Sequence, residues 1–456
     1  MIMKDSKLTR RAFLAVSTTC ALAGTAFAKK QKVNTANVVP RKVSPNEKLN
    51  IAGIGVGGQG KGDIMNCKSE NIIALCDVDD KRAEETYYLL PDAKRYKDYR
   101  KMLEEMDKEI DAVIISTPDH IHAPAAYMAM MMGKHVRVQK PLTHTIAEAR
   151  FLTKIAKETG VITQMGNQGH AGDGVRELCE MIWDGAIGEV KEVHIWTNRP
   201  IWPQGIDKPL SKRDVPPTID WDLWIGPAPM RPYNPGYAPF KWRGWWDFGC
   251  GAIGDMACHI MDPAFWSLKL YEALKYTVEV LEQEGMNKQT APKKSIIKYQ
   301  FPARGNMPAV DVYWYDGGLL PKRPEGIPAD EKLGDGDNGS LFIGTKGYLT
   351  TGCYSGDSRL VPAEKMKDYK KPDPTIPRIP EENPFKNWIE SIKANQKACS
   401  DFEYAGPLTE VANMGNVALW AGEKIEFDVA SMKITNVKKA NKYLTKEYRK
   451  GWELPL

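Results

Sequence analysis

The chain has 456 residues, 42% apolar and 27% charged, and this ordinary globular composition excludes a wholly disordered chain or a fibrous repeat. Lys and Arg total 63 against 58 Asp and Glu; the first 28 residues hold four basic and one acidic residue, so they carry +3 of the +5 excess. The remaining body is nearly neutral, which argues against nucleic acid as a partner because phosphate binding needs a concentrated basic surface.

The first 28 residues resemble a twin-arginine (Tat) export signal. Arg10 and Arg11 precede a weakly apolar stretch over 16–26, and Ala26-Phe27-Ala28 fits the small-x-small pattern of a cleavage site. The alternative is a short amphipathic helix, although no helical period is visible. We therefore expect an exported, periplasmic protein. No later apolar run reaches the roughly 18 residues of a spanning helix, so no stable membrane insertion is expected after processing.

The cysteines agree with this expectation. Few are present for so long a chain, and none forms a Cys-x-x-Cys pair. A protein that folds in a reducing compartment before export needs no disulfide framework. Residues 29–48 are polar, without an apolar period, and are predicted to form a linker.

Between 49 and 165, short apolar runs alternate with longer amphipathic segments. This pattern predicts a doubly wound parallel sheet with helices on both faces. The predicted strands are 49–54, 72–77, 112–116, 135–139 and 161–165, and the predicted helices are 58–69, 81–90, 99–105, 124–132 and 146–158.

From 166 to 456 the pattern changes to strand-like stretches with few helices between them. This predicts a C-terminal α+β domain with a large, mainly antiparallel sheet. Residues 362–384 contain six prolines and are expected to form an extended surface segment, followed by helices. The predicted strands are 190–196, 276–281, 295–301, 309–315 and 341–351, and the predicted helices are 385–395 and 408–421.

The first predicted strand leads into a Gly-x-Gly-x-x-Gly motif at Gly53, Gly55 and Gly58. Glycine permits the sharp turn and the close approach of a pyrophosphate, and the helix that follows supplies unpaired N–H donors. The second strand ends in Asp77, whose carboxylate can accept hydrogen bonds from ribose hydroxyls and would repel a 2′-phosphate. The motif therefore favours NAD over NADP; the alternative is a glycine-rich turn with an incidental aspartate.

Two further segments follow predicted strands, at 116–122 and at Lys140-Pro141. Ligands of a doubly wound sheet bind beyond the carboxyl ends of its strands, so both segments are predicted to face the cofactor. Lys140 would then lie near a nicotinamide. The alternative is a solvated surface lysine.

Asp255 and His259 are four residues apart in an apolar, glycine-rich segment. On a helix they would share one face, where a carboxylate and an imidazole can hold a substrate hydroxyl and remove its proton. Zinc binding is an alternative, but a third ligand is not evident, so no metal is expected. A buried helix with a hydrogen-bonded histidine is the structural alternative.

Together these landmarks resemble the Gfo/Idh/MocA family of nicotinamide-dependent oxidoreductases over roughly 49–455. The ordered set consists of the glycine motif, Asp77, Thr117-Pro118-Asp119-His120, Lys140-Pro141, and Gly254-Asp255 with His259. The tryptophan-rich segment 221–249 resembles the exported, sugar-active branch.

The resemblance implies an N-terminal Rossmann domain and a C-terminal α/β domain whose open sheet mediates assembly, so a dimer or tetramer is expected. It also implies that Lys140 and His259 act as acid–base groups, while Asp255 orients the sugar. One departure is Gln139, where the family usually has Glu before Lys-Pro. A neutral glutamine cannot hold Lys140 by charge.

A sugar, glycoside or polyol is the expected substrate. Eight of the 13 tryptophans lie between 196 and 266, and flat aromatic faces stack on sugar rings as well as fill cores. Amide and imidazole groups near 167–170 can bind ring hydroxyls, and Arg243 and Tyr237 are further candidates. The cofactor-binding candidates are Gly53, Gly55, Val56, Gly57, Gly58, Gln59, Asp77, Thr117, Pro118, His120, His122 and Lys140, and the substrate-binding candidates are Asn167, Gln168, His170, Trp245, Trp246, Asp255 and His259.

Export raises a question about the cofactor, because no dependable free NAD pool exists outside the cytoplasm. A tightly held nucleotide is therefore expected, with the hydride either returned within the site or passed to a second substrate. Three interpretations stay open: a sugar oxidoreductase, a redox-neutral glycosidase or epimerase that works through a keto-sugar, and a non-catalytic sugar-binding protein.

Overall fold

The computed structural model describes residues 33–456, and the expected export signal lies outside the described residues. Residues 33–48 contain no helix or strand but pack on the N-terminal sheet domain. Arg41 donates to the carboxylates of Asp111 and Glu47 at 2.7 Å each, and Val43 is buried. The expected linker therefore contacts the domain along this stretch.

Six strands form the N-terminal parallel sheet, in the order β3-β2-β1-β4-β5-β6. This is the order of a doubly wound dinucleotide-binding fold, with its topological switch point between β1 and β4. The elements are β1 Asn50–Ile54, α1 Gln59–Met65, β2 Asn71–Cys76, α2 Asp80–Leu89, β3 Lys94–Tyr96, α3 Tyr99–Glu105, β4 Ala112–Ile115, α4 Asp119–Met131, β5 His135–Val138, α5 Ile146–Thr159 and β6 Thr163–Met165.

The sequence explains why these elements form. All four residues of β4 are apolar and buried, as a parallel strand covered on both faces requires. Helix α5 begins with a capping box, in which Thr145 and Glu148 satisfy each other's backbone N–H groups. The predicted doubly wound sheet is confirmed.

The C-terminal part builds a nine-stranded mixed sheet in the order β13-β12-β11-β7-β10-β9-β8-β14-β15. Only the β7–β10 pair is parallel, so the predicted mainly antiparallel sheet is confirmed. Its elements are α6 Asp173–Trp183, β7 Val190–Trp196, α7 Trp221–Ile225, α8 Gly251–Ile260, α9 Asp262–Ser267, β8 Lys275–Glu284, β9 Lys294–Phe301, β10 Val310–Tyr315, β11 Gly339–Gly344, β12 Tyr348–Thr351, β13 Arg359–Val361, α10 Pro384–Ala394, α11 Phe402–Ala421, β14 Ile425–Asp428 and β15 Lys433–Ile434.

Several sequence expectations need correction. The single strand expected over 341–351 is the hairpin β11–β12, which turns where Gly344 N–H donates to the Gly347 carbonyl. The helix expected over 58–69 ends at Met65. Strands β3, β13, β14 and β15 and helices α6, α7 and α9 were not predicted, because most are too short to establish a period.

Helix α11 joins the two sheets. It packs along α5, where Thr153 Oγ1 donates to the Phe402 carbonyl, and Arg150 and Glu410 form an ion pair between the helices. Within 33–456, no helix has the length and apolar character needed to cross a bilayer.

Candidate active site

The glycine motif forms a tight turn between β1 and α1. Gly55 has φ +76°, and a Cβ atom there would lie 2.8 Å from the Ser116 carbonyl oxygen at the end of β4. At Gly60 a Cβ atom would lie 1.7 Å from the Gly55 oxygen. Only residues without side chains allow this close packing of the turn beyond the strand ends.

Asp77 follows β2 and braces the same turn. Its Oδ2 accepts hydrogen bonds from the backbone N–H groups of Val56 and Gly57 at 2.9 and 3.1 Å, and Oδ1 accepts one from Asp79. Burial disfavours the charged form and raises the pKa of Asp77 to about 6. The predicted ribose-binding carboxylate therefore lies beside the glycine turn.

A cavity of about 420 Å³ extends from this turn to the C-terminal domain. It has the size of a small-molecule site and lies at the switch point of the parallel sheet. From the N-terminal domain it is lined by Gly55, Gly57, Gln59, Asp77, Arg82, Thr117, Pro118, Gln139 and Lys140, and from the C-terminal part by Gln168, Trp224, Phe240, Trp242, Arg243, His259 and Tyr354, among others.

Lys140 crosses the domain boundary. Its Nζ donates to the backbone oxygen and to Oδ1 of Asp255, both at 2.8 Å. The Nε of Arg243 lies 3.2 Å from the same Oδ1, and the Nε of Arg199 lies 3.9 Å from Oδ2. Burial opposes ionisation of Asp255, but Lys140 and then Arg243 outweigh it and hold its pKa at about 2. Because three cations surround this carboxylate, the arrangement disfavours a metal ion there.

Asp255 and His259 lie one turn apart on α8, as the spacing predicts. His259 lines the cavity and is 4% exposed. Burial, and then the charge of Lys140, lower its pKa to about 3, so its imidazole is neutral at physiological pH. Its Nδ1 is buried and has no hydrogen-bond partner among the described residues.

Gln139 has a different partner from the one considered in the sequence. Its Nε2 donates at 2.8 Å to Oδ2 of buried Asp63, which also accepts a hydrogen bond from Ser116. The charge partner of Lys140 is therefore Asp255, whereas Gln139 belongs to a separate polar cluster under the glycine turn.

Two predicted cofactor residues, His120 and His122, do not line the cavity, and both are fully buried. The ring nitrogens of His120 lie 3.2 and 3.1 Å from the carbonyl oxygens of Phe248 and Trp224. Those of His122 lie 2.9 Å from two carbonyl oxygens in the loops after β4 and β5. These histidines hold loops together instead of reaching a ligand. Gly53, Val56 and Gly58 also lie outside the cavity wall.

Among the predicted substrate-binding residues, Gln168 and His259 line the cavity. Trp245 is 1% exposed, and its indole donates to the Gly236 carbonyl. The indole of Trp246 donates to the Asn287 carbonyl. Neither tryptophan lines the cavity, and both contribute to packing.

Asn167 and His170 also point away from the cavity. Ser400 Oγ donates to Oδ1 of Asn167, which is 2% exposed. His170 Nδ1 lies 2.9 Å from Oδ2 of Asp262 in a buried cluster. The segment 167–170 thus contributes one side chain, that of Gln168, to the cavity.

The sequence did not predict that Tyr354 belongs to the site. Its ring lies 4.8 Å from the ring of His259 in an edge-to-face arrangement, and it lines the cavity. No local sequence pattern indicates this contact, because Tyr354 belongs to a short loop after β12. Arg199 was also missed, and only its position directly after β7 could have drawn attention to it.

The sequence and the fold are similar to those of known proteins. The NAD-binding Rossmann-fold model of the Gfo/Idh/MocA oxidoreductase family matches residues 48–167, and the model of its C-terminal alpha/beta domain matches 189–303. A glycosyl hydrolase family 109 protein of Shewanella pealeana is 30% identical over 208 residues, 40% of this chain and 44% of that protein. Inositol 2-dehydrogenase of Salmonella typhimurium is 30% identical over 152 residues, 32% of this chain and 44% of that enzyme.

These alignments cover less than half the length of the relatives. The crystal structure of aldose-aldose oxidoreductase from Caulobacter crescentus, complexed with glycerol, superposes with a TM-score of 0.54 at 15% identity. The superposition covers 84% of this chain and 100% of the other, so it supports the fold. With both family domains matched in order and a Rossmann sheet beside the mixed sheet, the chain belongs to the Gfo/Idh/MocA oxidoreductase family and carries its NAD-binding domain.

Proposed function

We propose that this protein is an NAD-dependent oxidoreductase that acts on a hydroxyl group of a sugar, glycoside or polyol and keeps its cofactor tightly bound. One observation carries the proposal: a single cavity brings the glycine turn and Asp77 together with Lys140 and His259. These groups come from two domains, and the ion pair between Lys140 and Asp255 joins them at the cavity.

The residues present fit an NAD molecule. Gly55 and Gly57 line the cavity and, without side chains, suit a pyrophosphate, and Asp77 suits the ribose hydroxyls. Thr117 lines the same cavity, and its buried Oγ1 has no hydrogen-bond partner within 33–456. When bound, NAD supplies the acceptor and donor of a hydride.

The protein's part of the chemistry is to hold the substrate and move a proton. His259 is neutral, so it can accept the hydroxyl proton as the carbon is oxidised, and it can return the proton in the reverse direction. The Lys140 ammonium can donate a hydrogen bond to the same oxygen and stabilise negative charge on it. Asp255 fixes Lys140 and can also orient a neighbouring hydroxyl.

A redox-neutral reaction is the second candidate. The family 109 glycosyl hydrolase among the relatives favours it. Oxidation of a ring hydroxyl to a ketone acidifies the adjacent C–H bond, which permits loss of a glycosidic leaving group or epimerisation before the ketone is reduced again. This route uses the same residues as net oxidation.

Two further proposals concern the setting of the reaction. The Tat-type pattern at Arg10-Arg11 supports export to the periplasm, which would explain a retained nucleotide. The open nine-stranded sheet of the C-terminal part supports assembly into a dimer or tetramer.

The test begins with purified protein that has received no nucleotide. Denaturation should release NAD, and native protein should then be incubated with a panel of glycosides and polyols, with and without added NAD. Formation of at most one bound NADH per protein chain together with an oxidised product supports oxidation, whereas release of an epimer or aglycone without a lasting absorbance change supports the redox-neutral route. Absence of both bound nucleotide and turnover would refute enzymatic function and leave a sugar-binding protein.

A further inference from the structure

Three cations surround Asp255 beside the half of the cavity opposite the glycine turn; Lys140 and Arg243 line the cavity, whereas Arg199 does not. Lys140, Arg199 and Arg243 all approach Asp255, at 2.8, 3.9 and 3.2 Å. Among the described residues, Asp255 is the only carboxylate within 4.0 Å of a nitrogen of either arginine. One carboxylate therefore balances three cations.

Three further acidic groups close to this half of the cavity have hydrogen-bond partners of their own. Asp119 is 4% exposed and accepts a hydrogen bond from the Cys250 backbone N–H. Asp63 accepts hydrogen bonds from Ser116 and Gln139 beneath the glycine turn. Asp335, beside the Tyr354 loop, accepts a hydrogen bond from the Cys353 backbone N–H. None of them forms a direct ion pair with either arginine, although the charge of Arg243 acts on Asp119.

Both arginines keep donors available. Arg243 lines the cavity, and its guanidinium carbon lies 4.3 Å from the ring centre of Trp242 and 4.8 Å from that of Phe240. Its Nε faces Asp255 and its Nη1 donates to the Phe240 carbonyl, so Nη2 is not used by any described residue. The side chains of Arg243 and Arg199 are 23% and 26% exposed, and that of Arg243 reaches the cavity wall.

This arrangement differs from what a neutral polyol requires. Hydroxyl groups are bound by mixed donors and acceptors, whereas uncompensated guanidinium groups recognise carboxylate and phosphate oxygens through paired N–H donors. Aromatic rings against one arginine limit its motion and prearrange it for such a ligand. The pyrophosphate of the cofactor is not the anion concerned, because its expected place is the glycine turn near Arg82.

We infer that the substrate is an acidic sugar, with a carboxylate or phosphate group that binds to Arg243 beside Arg199 while the reacting hydroxyl lies at Lys140 and His259. The inference rests on the proposed function, because it names the substrate class of the same cavity. Uronic acids and sugar phosphates share this chemistry.

The experiment uses the full protein with its nucleotide and measures binding of glucuronate, glucose 6-phosphate and glucose by calorimetry. At least one acidic probe should bind roughly tenfold to a hundredfold more tightly than glucose, the range expected for charge-assisted hydrogen bonds. Tighter binding of glucuronate identifies a carboxylate ligand, and tighter binding of glucose 6-phosphate identifies a phosphate ligand. Equal or tighter binding of glucose would overturn the inference.

Substitutions test which arginine is responsible for the tighter binding of the acidic probe. Arg243→Gln and Arg199→Gln should each lower the affinity for the acidic probe by tenfold or more without lowering the affinity for glucose. Arg243→Lys should retain part of the affinity for the acidic probe because it keeps the charge. Arg323→Gln is the matched control, since Arg323 donates to the Pro328 carbonyl and does not line the cavity. If Arg243→Gln does not fold, the affinity of Arg199→Gln for the acidic probe decides whether the inference holds.

Different results would refute acidic-sugar recognition and the proposed oxidoreductase function. An equal loss for glucose and the acidic probes in both glutamine variants would mean that the arginines serve the cavity in general, and would refute acidic-sugar recognition. Failure of every acidic probe to bind protein that holds NAD would also refute it, with the oxidoreductase function intact. Protein that holds no NAD would instead refute the proposed function.

Discussion

Gln139 illustrates how a single residue takes its role from a partner distant in the sequence. A glutamate at this position would place a second carboxylate against Asp63, which is 2% exposed. The amide instead donates to Asp63, while Asp255 supplies the charge for Lys140. The departure from Glu-Lys-Pro is therefore matched by the polar cluster below it.

Gln139→Glu should destabilise the protein by about 1–3 kcal/mol at neutral pH, because it replaces a buried hydrogen bond by repulsion between two carboxylates. Chemical denaturation measures this loss. Adding Asp63→Asn should recover most of the stability, since an amide and a carboxylate again face each other. A double variant as unstable as the single variant would contradict this account.

The pH dependence of turnover should reflect His259. Its pKa is lowered to about 3, first by burial and then by Lys140. A base with a lowered pKa keeps its function at higher pH and loses it only as the pH falls toward that pKa. We therefore expect turnover to show no loss from His259 protonation between about pH 8 and about pH 5, where an unperturbed histidine would titrate. An inflection of kcat near the ordinary histidine pKa, removed by His259→Gln, would refute this.

At the scale of elements, the loop after β12 places Tyr354 against His259. Tyr354, Ser355 and Asp357 have φ of 57°, 61° and 54°, a left-handed backbone that side chains rarely adopt. Gly169 packs against this loop, and a Cβ atom at Gly169 would lie 2.8 Å from the Cα of Tyr354. Strained backbone of this kind is found at sites where precise placement matters.

Gly169→Ala should therefore displace the Tyr354 loop and lower turnover by roughly tenfold or more, because small misplacements in an active site are costly. Activity assays together with thermal unfolding measure the change. Gly356→Ala is the matched control in the same loop, since its φ is −67° and its nearest neighbour would lie 3.5 Å away. Equal effects of the two substitutions would argue against a specific role for the Gly169 contact.

At the scale of the whole molecule, the site exists only where the two domains meet. Lys140 and Asp255 are separated by 115 positions in the sequence, and buried His120 contacts carbonyl groups of the C-terminal part. The ion pair between Arg150 on α5 and Glu410 on α11 supports this junction, with the Glu410 side chain 6% exposed.

Glu410→Gln should reduce the free energy of unfolding by about 1–3 kcal/mol, because it leaves Arg150 without its buried partner. The midpoint of urea denaturation measures the loss. Glu403→Gln is the control, since the pair of Glu403 with Lys397 is exposed on both sides and should contribute little. Similar midpoints for both variants would contradict a role for Glu410 at the junction.

The sequence alone determined the parallel sheet, the glycine turn with Asp77, and the pairing of Asp255 with His259 on one helix. These features are local, because strand and helix periods and tight turns are set by neighbouring residues. The tertiary structure decided that Lys140 pairs with Asp255, that Trp245 and Trp246 are packing residues, and that Arg199 and Tyr354 join the site. These outcomes depend on how distant segments pack together, and residue type at a single position does not distinguish a buried tryptophan or arginine from one that faces a cavity.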